Sequence, residues 1–257
     1  MPTPEPDTAR QRRPRGRHRR RWSLESLLGL AVITAAVGLL VLERADPEPR
    51  ADASGERATA TGPGAPGAPP ADPPVLLRSV VDEVSGGSGE LEVVDGEGEA
   101  VGDGVLRRYL VEVEQGLPGD SRDFAAAVEQ ILGDGERGWA ADEGVALQRV
   151  DAEPVAFRVT LAAPETVDEM CAPLRTGGAL SCSRDGRAII NQNRWVSGVE
   201  HFDGDLETYR IYVINHEVGH ALGHGHVNCT GRGAPAPVMQ QQTFALNGCE
   251  PNGWPNP

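Results

Sequence analysis

The chain has 257 residues, with 24 arginines, no lysine and 38 acidic residues, and a formal net charge of −14 at pH 7. Met1 to Trp22 carries +6, from eight arginines against two acids, whereas the chain from Val75 onward carries −16, from 13 arginines against 29 acids. An acidic body repels phosphate backbones, so we expect no nucleic-acid partner. The 32 glycines and 21 prolines follow no period, which excludes collagen and predicts linkers or long loops.

The N-terminus combines a basic block, Arg10 to Arg21, with an uncharged run, Ser26 to Leu42. A helix needs about 20 apolar residues to cross a bilayer, and residues 23–43 reach that length. Because cationic flanks stay in the cytoplasm, the arginines predict a signal anchor that follows a cytoplasmic tail of residues 1–22. The alternative is a cleaved signal peptide and a secreted protein, since small residues such as Ala36 could supply a cleavage site.

A linker follows the predicted anchor. Residues 44–74 contain no aromatic residue and end in GPGAPGAPPADPP. Such a segment cannot bury enough apolar surface to offset its ordering entropy, so it is predicted to be a disordered tether. Residues 75–257 are then one domain, long enough for a real core and placed on the outer face of the cytoplasmic membrane.

The domain has alternating strand and helix patterns. Four segments read as strands: Arg108 to Glu114, Ala146 to Val150, Val155 to Leu161 and Arg187 to Asn191. Asp120 opens a helical stripe at Phe124 to Leu132, and Asp205 is placed to cap a long helix at Leu206 to Leu222. Strands interrupted by two helices predict an α+β domain with a mixed, mainly antiparallel-edged sheet.

The long helix ends in the sequence HEVGHALGHGH, which begins at His216. His216 and His220 are four residues apart, so they lie on one helix face, close enough to hold a single ion. A catalytic zinc site needs one more protein ligand and an open position. His224 would lie about 12 Å from His216 if the helix continued, too far to share the ion. Gly223 allows the chain to leave the helix, so His226 can return to the metal.

The string fits H-E-x-x-H-x-x-G-x-x-H and resembles the metzincin metalloproteases. The resemblance implies one catalytic Zn²⁺, held by His216, His220 and His226. It also implies that Glu217 is the general base, taking the proton of a water whose pKa the metal lowers to about 7. A metzincin has a methionine turn beneath the metal, and Met239, 13 residues after His226, is the candidate.

The stretches NHEVGHALGHGH, PAPVMQQQT and GCEPNGWP also resemble an uncharacterised bacterial family of membrane-tethered, minimal metzincin-like domains. This likeness extends upstream through Gly138-Trp139 and Ile190-Asn191. No tyrosine follows Met239, so the tyrosine ligand of astacins has no candidate. In metzincins an extended peptide lies along an edge strand above the active-site helix, and Arg187 to Trp195 is the predicted rim.

Other residues of the region have ordinary explanations. His224 is predicted to face solvent or to support the ligands. His201 and the stretch Asp203 to Asp205 could be mistaken for a metal loop, but a turn that ends in a helix cap explains them. Met239 would be an ordinary core residue if its position did not favour the turn.

The four cysteines, Cys171, Cys182, Cys229 and Cys249, all lie after the predicted anchor. None forms a C-x-x-C knuckle, and four cysteines permit three pairings. Cys171 with Cys182 and Cys229 with Cys249 are favoured, because each pair closes a local loop. Free buried thiols are the alternative, which an oxidising compartment disfavours.

These patterns together predict a zinc-dependent endopeptidase that acts on peptide or protein substrates outside the membrane. A zinc-stabilised binding module without turnover is one alternative, and Glu217 argues against it because a structural site needs no base. A zinc hydrolase that acts on a non-peptide amide of the envelope is a second alternative, and nothing in the sequence argues strongly against it.

Overall fold

A six-stranded mixed sheet forms the framework of the domain. Its strands are β1 (Leu91–Val93), β2 (Val105–Glu114), β3 (Val145–Arg149), β4 (Phe157–Ala162), β5 (Cys182–Arg184) and β6 (Arg187–Asn191). The main order is β1-β2-β4-β6-β5, and β3 pairs with the first half of β2. The central strands β2, β4 and β6 are parallel, whereas β1 and β5 pair antiparallel at the two edges. The predicted α+β class with a mixed sheet is therefore confirmed.

The computed structural model describes residues 72–79, 82–142 and 144–257. The predicted cytoplasmic tail and anchor, and all of the predicted linker before residue 72, lie outside these described residues. Within them, no helix combines the length and the apolar character that a membrane crossing requires.

Four α-helices occur in the described part of the chain: α1 (Ser121–Leu132), α2 (Pro164–Cys171), α3 (Gln192–Ser197) and α4 (Leu206–Ala221). Asp120 caps α1 by accepting from the N–H of Arg122 at 2.9 Å, and Asp205 caps α4 by accepting from the N–H of Thr208 at 3.0 Å. Both predicted caps are confirmed, because a side-chain carboxylate satisfies an otherwise unpaired N–H of the first turn.

The sheet is covered unequally on its two faces. Val111, Val159 and Ile190 share one face, and they belong to the same core as Phe124 of α1 and Ile214 of α4. Ile189 points to the opposite face, where it packs with α2. The two long helices therefore bury the larger core, and α4 is fixed across the parallel strands.

A short segment before the sheet is fastened to α4 by a buried arginine. The Arg210 side chain is 1% exposed, and its Nη1 donates to the carbonyls of Leu76 at 2.9 Å and Arg78 at 3.0 Å. Its Nε donates to the Trp195 carbonyl at 2.7 Å, and the guanidinium lies 4.5 Å from the centre of the Trp195 ring. Burial lowers the pKa of Arg210 to about 10, which leaves it charged at neutral pH. Leu76 is buried in the same core.

Two disulfide bonds close loops near the end of α4 and beside β5. Cys171 is bonded to Cys182, and Cys229 is bonded to Cys249. The described residues contain no free cysteine. The predicted pairing is confirmed, and the first disulfide joins the end of α2 to the start of the edge strand β5.

Candidate metal centre

Helix α4 ends in a glycine turn that directs the chain back toward its own histidines. Gly223 has a φ of +102°, a left-handed conformation that a residue without Cβ adopts without strain. Its N–H donates to the His220 carbonyl at 3.0 Å, and the N–H of His224 donates to the Gly219 carbonyl at 2.9 Å. These two bonds form a Schellman motif. The chain therefore leaves the helix at Gly223, and His226 returns to the face that holds the first two histidines.

Three histidines converge at the end of α4. One ring nitrogen from each of His216, His220 and His226 lies within 4.8 Å of the others, a group that could hold a metal ion. The Nε2 atoms of His220 and His226 are 3.0 Å apart. His216 is buried, His220 half-buried and His226 exposed, so the group opens to solvent on the side of His226.

Two backbone carbonyls set the tautomers of the first two rings. Nδ1 of His216 lies 2.8 Å from the Val238 oxygen, and Nδ1 of His220 lies 2.9 Å from the His224 oxygen. A carbonyl only accepts, so each Nδ1 must carry the hydrogen and each Nε2 must keep its lone pair. The Nε2 lone pairs are the donors that a metal requires. At 3.0 Å, the lone pairs of two neutral imidazoles repel unless a proton or a metal ion lies between them.

The site favours neutral imidazoles. Burial is the main cause that lowers the pKa of His216 to about 4; the hydrogen bond to Val238 opposes the shift, and the nearby His220 and His226 rings contribute to it. Burial and the neighbouring His220 also lower the pKa of His226. Because only a deprotonated imidazole nitrogen binds a metal, these shifts favour the metal-binding form of His216 and His226 at neutral pH.

Glu217 lies in the same cleft as the three histidines. Its side chain is buried, and no hydrogen bond from a described residue contributes to its pKa. Burial without a partner raises the pKa of Glu217 to about 8. A carboxyl group with a pKa near neutrality can both take up and release a proton, which is the property that a general base requires.

The underside of α4 packs on Met239 and Trp139. A Cβ built on Gly219 would lie 2.6 Å from Cζ2 of Trp139 and closer still to Sδ of Met239, so glycine is the residue that fits here. Met239 lies in a tight turn closed by the N–H of Gln240, which donates to the Pro237 oxygen at 2.9 Å. This turn also provides the Val238 carbonyl that orients the first histidine.

The other two histidines of the described residues, His201 and His224, lie outside the three-histidine group. The ring of His224 stacks on Trp139 with centroids 4.4 Å apart, so this side chain supports the turn instead of joining the ligands. His201 Nε2 lies 2.6 Å from the Gln242 oxygen. Asp203 has a left-handed φ of +51°, and Asp205 is the helix cap. The explanation of this stretch as a turn and a cap is confirmed.

A cleft of about 470 Å³ opens beside the three histidines, which form part of its lining. One side is formed by Leu180 to Ser183, which includes the start of β5, and another by Gln241, Thr243 and Phe244. The predicted rim, Arg187 to Trp195, is wrong: β6 is paired on both sides, with β4 and with β5, so it has no free edge. The strand at this edge of the sheet is β5. It has three residues and is joined to β6 by the two-residue turn Asp185-Gly186.

Residues 80–254 match the family described as "Protein of unknown function (DUF3152)", a match that covers more than half of the chain. The chain belongs to this family. No curated protein and no solved structure matches it.

Several supporting residues of the site were not predicted from the sequence. Trp139 donates its indole N–H to the Asn215 carbonyl at 2.9 Å, inside α4. The hydroxyl of Tyr212 donates to the Gln240 oxygen at 3.3 Å and accepts from the N–H of Thr243 at 3.3 Å, which ties α4 to the segment after Met239. These contacts join residues far apart in the chain, so no local sequence pattern predicts them.

Proposed function

We propose that this protein is a zinc-dependent endopeptidase built on a metzincin-like domain. The observation that carries the proposal is the convergence of His216, His220 and His226 on a cleft that also contains the unpartnered carboxylate of Glu217. A structural zinc site is usually closed by four protein ligands. Here, within the described part of the chain, no fourth histidine, cysteine or carboxylate completes the group, and the open side faces the cleft.

The donor set favours zinc over hard cations. Magnesium and calcium prefer oxygen ligands, whereas three imidazole nitrogens suit zinc. Tetrahedral ligands at about 2.0–2.1 Å from zinc are about 3.3 Å apart, close to the 3.0 Å between the Nε2 atoms of His220 and His226. Zinc held there would supply Lewis-acid chemistry by polarising the scissile carbonyl.

The protein side chains provide the proton transfers of the proposed reaction. Glu217 would accept a proton from the attacking water on its carboxylate and later donate that proton to the leaving amine. The fixed tautomers of His216 and His220 hold their Nε2 atoms toward the ion. Gly223 and Met239 would then serve the proposed metzincin-like site as its turn glycine and its methionine turn.

The proposed substrate is an extended polypeptide that adds to β5. The edge of β5 that faces away from β6 borders the cleft, and an exposed edge can pair with an extended chain through backbone hydrogen bonds. The two disulfides favour an oxidising compartment. We therefore propose that the domain acts outside the cytoplasmic membrane, to which the predicted N-terminal helix would anchor it.

The proposal is tested by measuring zinc content, thermal stability and peptide cleavage on the purified full chain and on Glu217→Gln. We expect Glu217→Gln to keep its zinc and its fold but to lose hydrolysis by at least about 10²-fold, as is typical of a general base. Glu207→Gln, an exposed acid on the same helix, is the matched control and should cleave like wild type. Equal cleavage by wild type and Glu217→Gln would remove Glu217 from the mechanism.

The ligand set is tested in parallel. Replacing His216, His220 or His226 by alanine should remove the bound zinc, whereas His224→Ala should leave about one equivalent. A wild-type protein with full zinc and no cleavage across a broad peptide library would contradict the endopeptidase and favour a binding module or a hydrolase of non-peptide amides.

A further inference from the structure

One wall of the cleft beside the three histidines carries an exposed leucine and an exposed arginine, and the arginine forms no ion pair with a described residue. Leu174 is 55% exposed, and Arg175 is exposed beside it. Both line the cleft that contains the three histidines. No acid of the described residues forms an ion pair with Arg175, whereas seven other arginines do form ion pairs.

The loop that carries these two side chains is held rigidly. The disulfide between Cys171 and Cys182 closes it, and Thr176, next to Arg175, is buried. The Asp168 carboxylate accepts from the Thr176 hydroxyl and from the N–H of Gly178 at 2.9 Å. Farther along the loop, Nε of Arg194 donates to the Ala179 carbonyl at 2.6 Å. A loop that is already ordered can bind a ligand without a further loss of conformational entropy.

The cleft lacks the strong negative charge of the domain. From Val75 onward the chain carries a net charge of −16. Of the described residues that line the cleft, Glu217 is the only acid and Arg175 is the only arginine. A bound divalent metal ion would add positive charge to the cleft. A carboxylate is therefore the ligand group that complements this wall.

Apolar surface lies around the same opening. Phe244 lines the cleft and is 60% exposed, although large side chains of this kind are usually covered. A second pocket of about 360 Å³ shares His226, Gln241 and Phe244 with the cleft and adds Val227, which is 46% exposed. Exposed apolar side chains grouped around a cleft mark a binding surface.

We propose that the cleft selects polypeptide segments in which an acidic residue lies beside an apolar one. The carboxylate of the segment pairs with Arg175, and the apolar side chain packs against Leu174 and Phe244. The inference rests on the proposed function for the polypeptide nature of the ligand. The selectivity itself comes from the charge and the apolar surface of the cleft wall.

The test measures binding separately from cleavage. Zinc-loaded full chain carrying Glu217→Gln is titrated, by fluorescence anisotropy, into short labelled peptides of Ala, Ser and Gly that contain one Leu–Glu or Glu–Leu pair. Matched peptides carry Gln or Lys in place of Glu. We expect the Glu peptides to bind about two- to fivefold more tightly than the Gln peptides, as for one exposed ion pair. Arg175→Gln should remove this difference, and Arg175→Glu should shift the preference to the Lys peptides.

Controls separate the cleft from the rest of the surface. Arg232→Gln, at an exposed arginine outside the cleft, should leave the preference unchanged. Phe244→Ser should weaken the binding of every Leu-containing peptide without changing the ratio between Glu and Gln peptides. Equal binding of the three peptide classes, an unchanged preference in Arg175→Glu, or no binding of any peptide would each overturn the proposal. A Glu preference in binding, with no cleavage by wild type, would contradict the peptidase and leave the selectivity intact.

Discussion

Gly219 is the residue at which packing beneath α4 can be tested most directly. In Gly219→Ala the new Cβ would lie 2.6 Å from Trp139 and closer to Met239, against an ordinary contact distance of 3.4–4 Å. Trp139 cannot retreat easily, because its N–H is bonded within α4 and its ring is stacked on His224. Overpacking of this kind costs about 1–3 kcal/mol, and the better helix propensity of alanine returns about 1 kcal/mol. We expect a net loss of up to about 2 kcal/mol.

The same substitution should weaken the proposed zinc binding. The turn that contains Met239 also holds the Val238 carbonyl on His216, and disturbing such a supporting contact typically costs 10- to 100-fold in metal affinity. Thermal unfolding and a competitive zinc titration measure the two effects. Gly225→Ala is the control, because a Cβ at that position meets nothing within 4 Å. If Gly219→Ala unfolds and binds zinc like Gly225→Ala, the packing argument is refuted.

Three further predictions concern stability. In metal-free protein the raised pKa of Glu217 gives a contribution to stability that is present below its unfolded value of 4.5 and is lost as pH rises through about 8. The lowered pKa of His216 acts in the opposite direction over the same range, so the Glu217 contribution is the difference between wild type and Glu217→Gln. Between pH 5 and pH 8, urea unfolding should show that wild type loses on the order of 4 kcal/mol relative to Glu217→Gln. Leu76→Ala should lower the free energy of unfolding by about 2–4 kcal/mol in denaturant titrations, whereas Leu77→Ala, at an exposed neighbour, should have little effect. Replacing Cys229 and Cys249 together by serine should cost about 3 kcal/mol, and a smaller loss would mean that the unfolded chain is already restricted.

The elements that the sequence predicts well are those with local signals at their ends. Asp205 caps α4 and Gly223 ends it, so the predicted helix differs from the observed one by a single residue. The strand predicted at Arg187 to Asn191 matches β6, and the one at Arg108 to Glu114 lies within β2. Each of these segments is long enough, or apolar enough, to show its period.

The elements that were missed are short. Strands β1 and β5 have three residues each, too few for an alternation to appear. The turn Asp185-Gly186 was the available sign that a strand precedes β6, because this dipeptide favours two-residue hairpins. Without β5, the inner strand β6 was mistaken for the rim of the cleft.

In the candidate site, too, the sequence predicts the residues with a local signal and misses those that depend on long-range contacts. The histidine spacing follows from helix geometry, so the residues that could hold a metal are readable from one short string. The groups that orient the histidines cannot be predicted from that string. Val238 and Trp139 reach α4 from distant parts of the chain, and their roles depend on tertiary packing.

The C-terminal segment carries a consequence for how the protein matures. The Val238 carbonyl orients His216, Asn252 donates to the Ala236 carbonyl at 2.8 Å, and the Gly253 carbonyl accepts from Asn215 of α4 at 2.9 Å. The chain enters α4 before it reaches any of these partners, so the first histidine gains its orienting carbonyl only after the C-terminal segment has been made and has folded back. A truncation just before Asn252 should therefore disturb the histidine group although it removes no histidine.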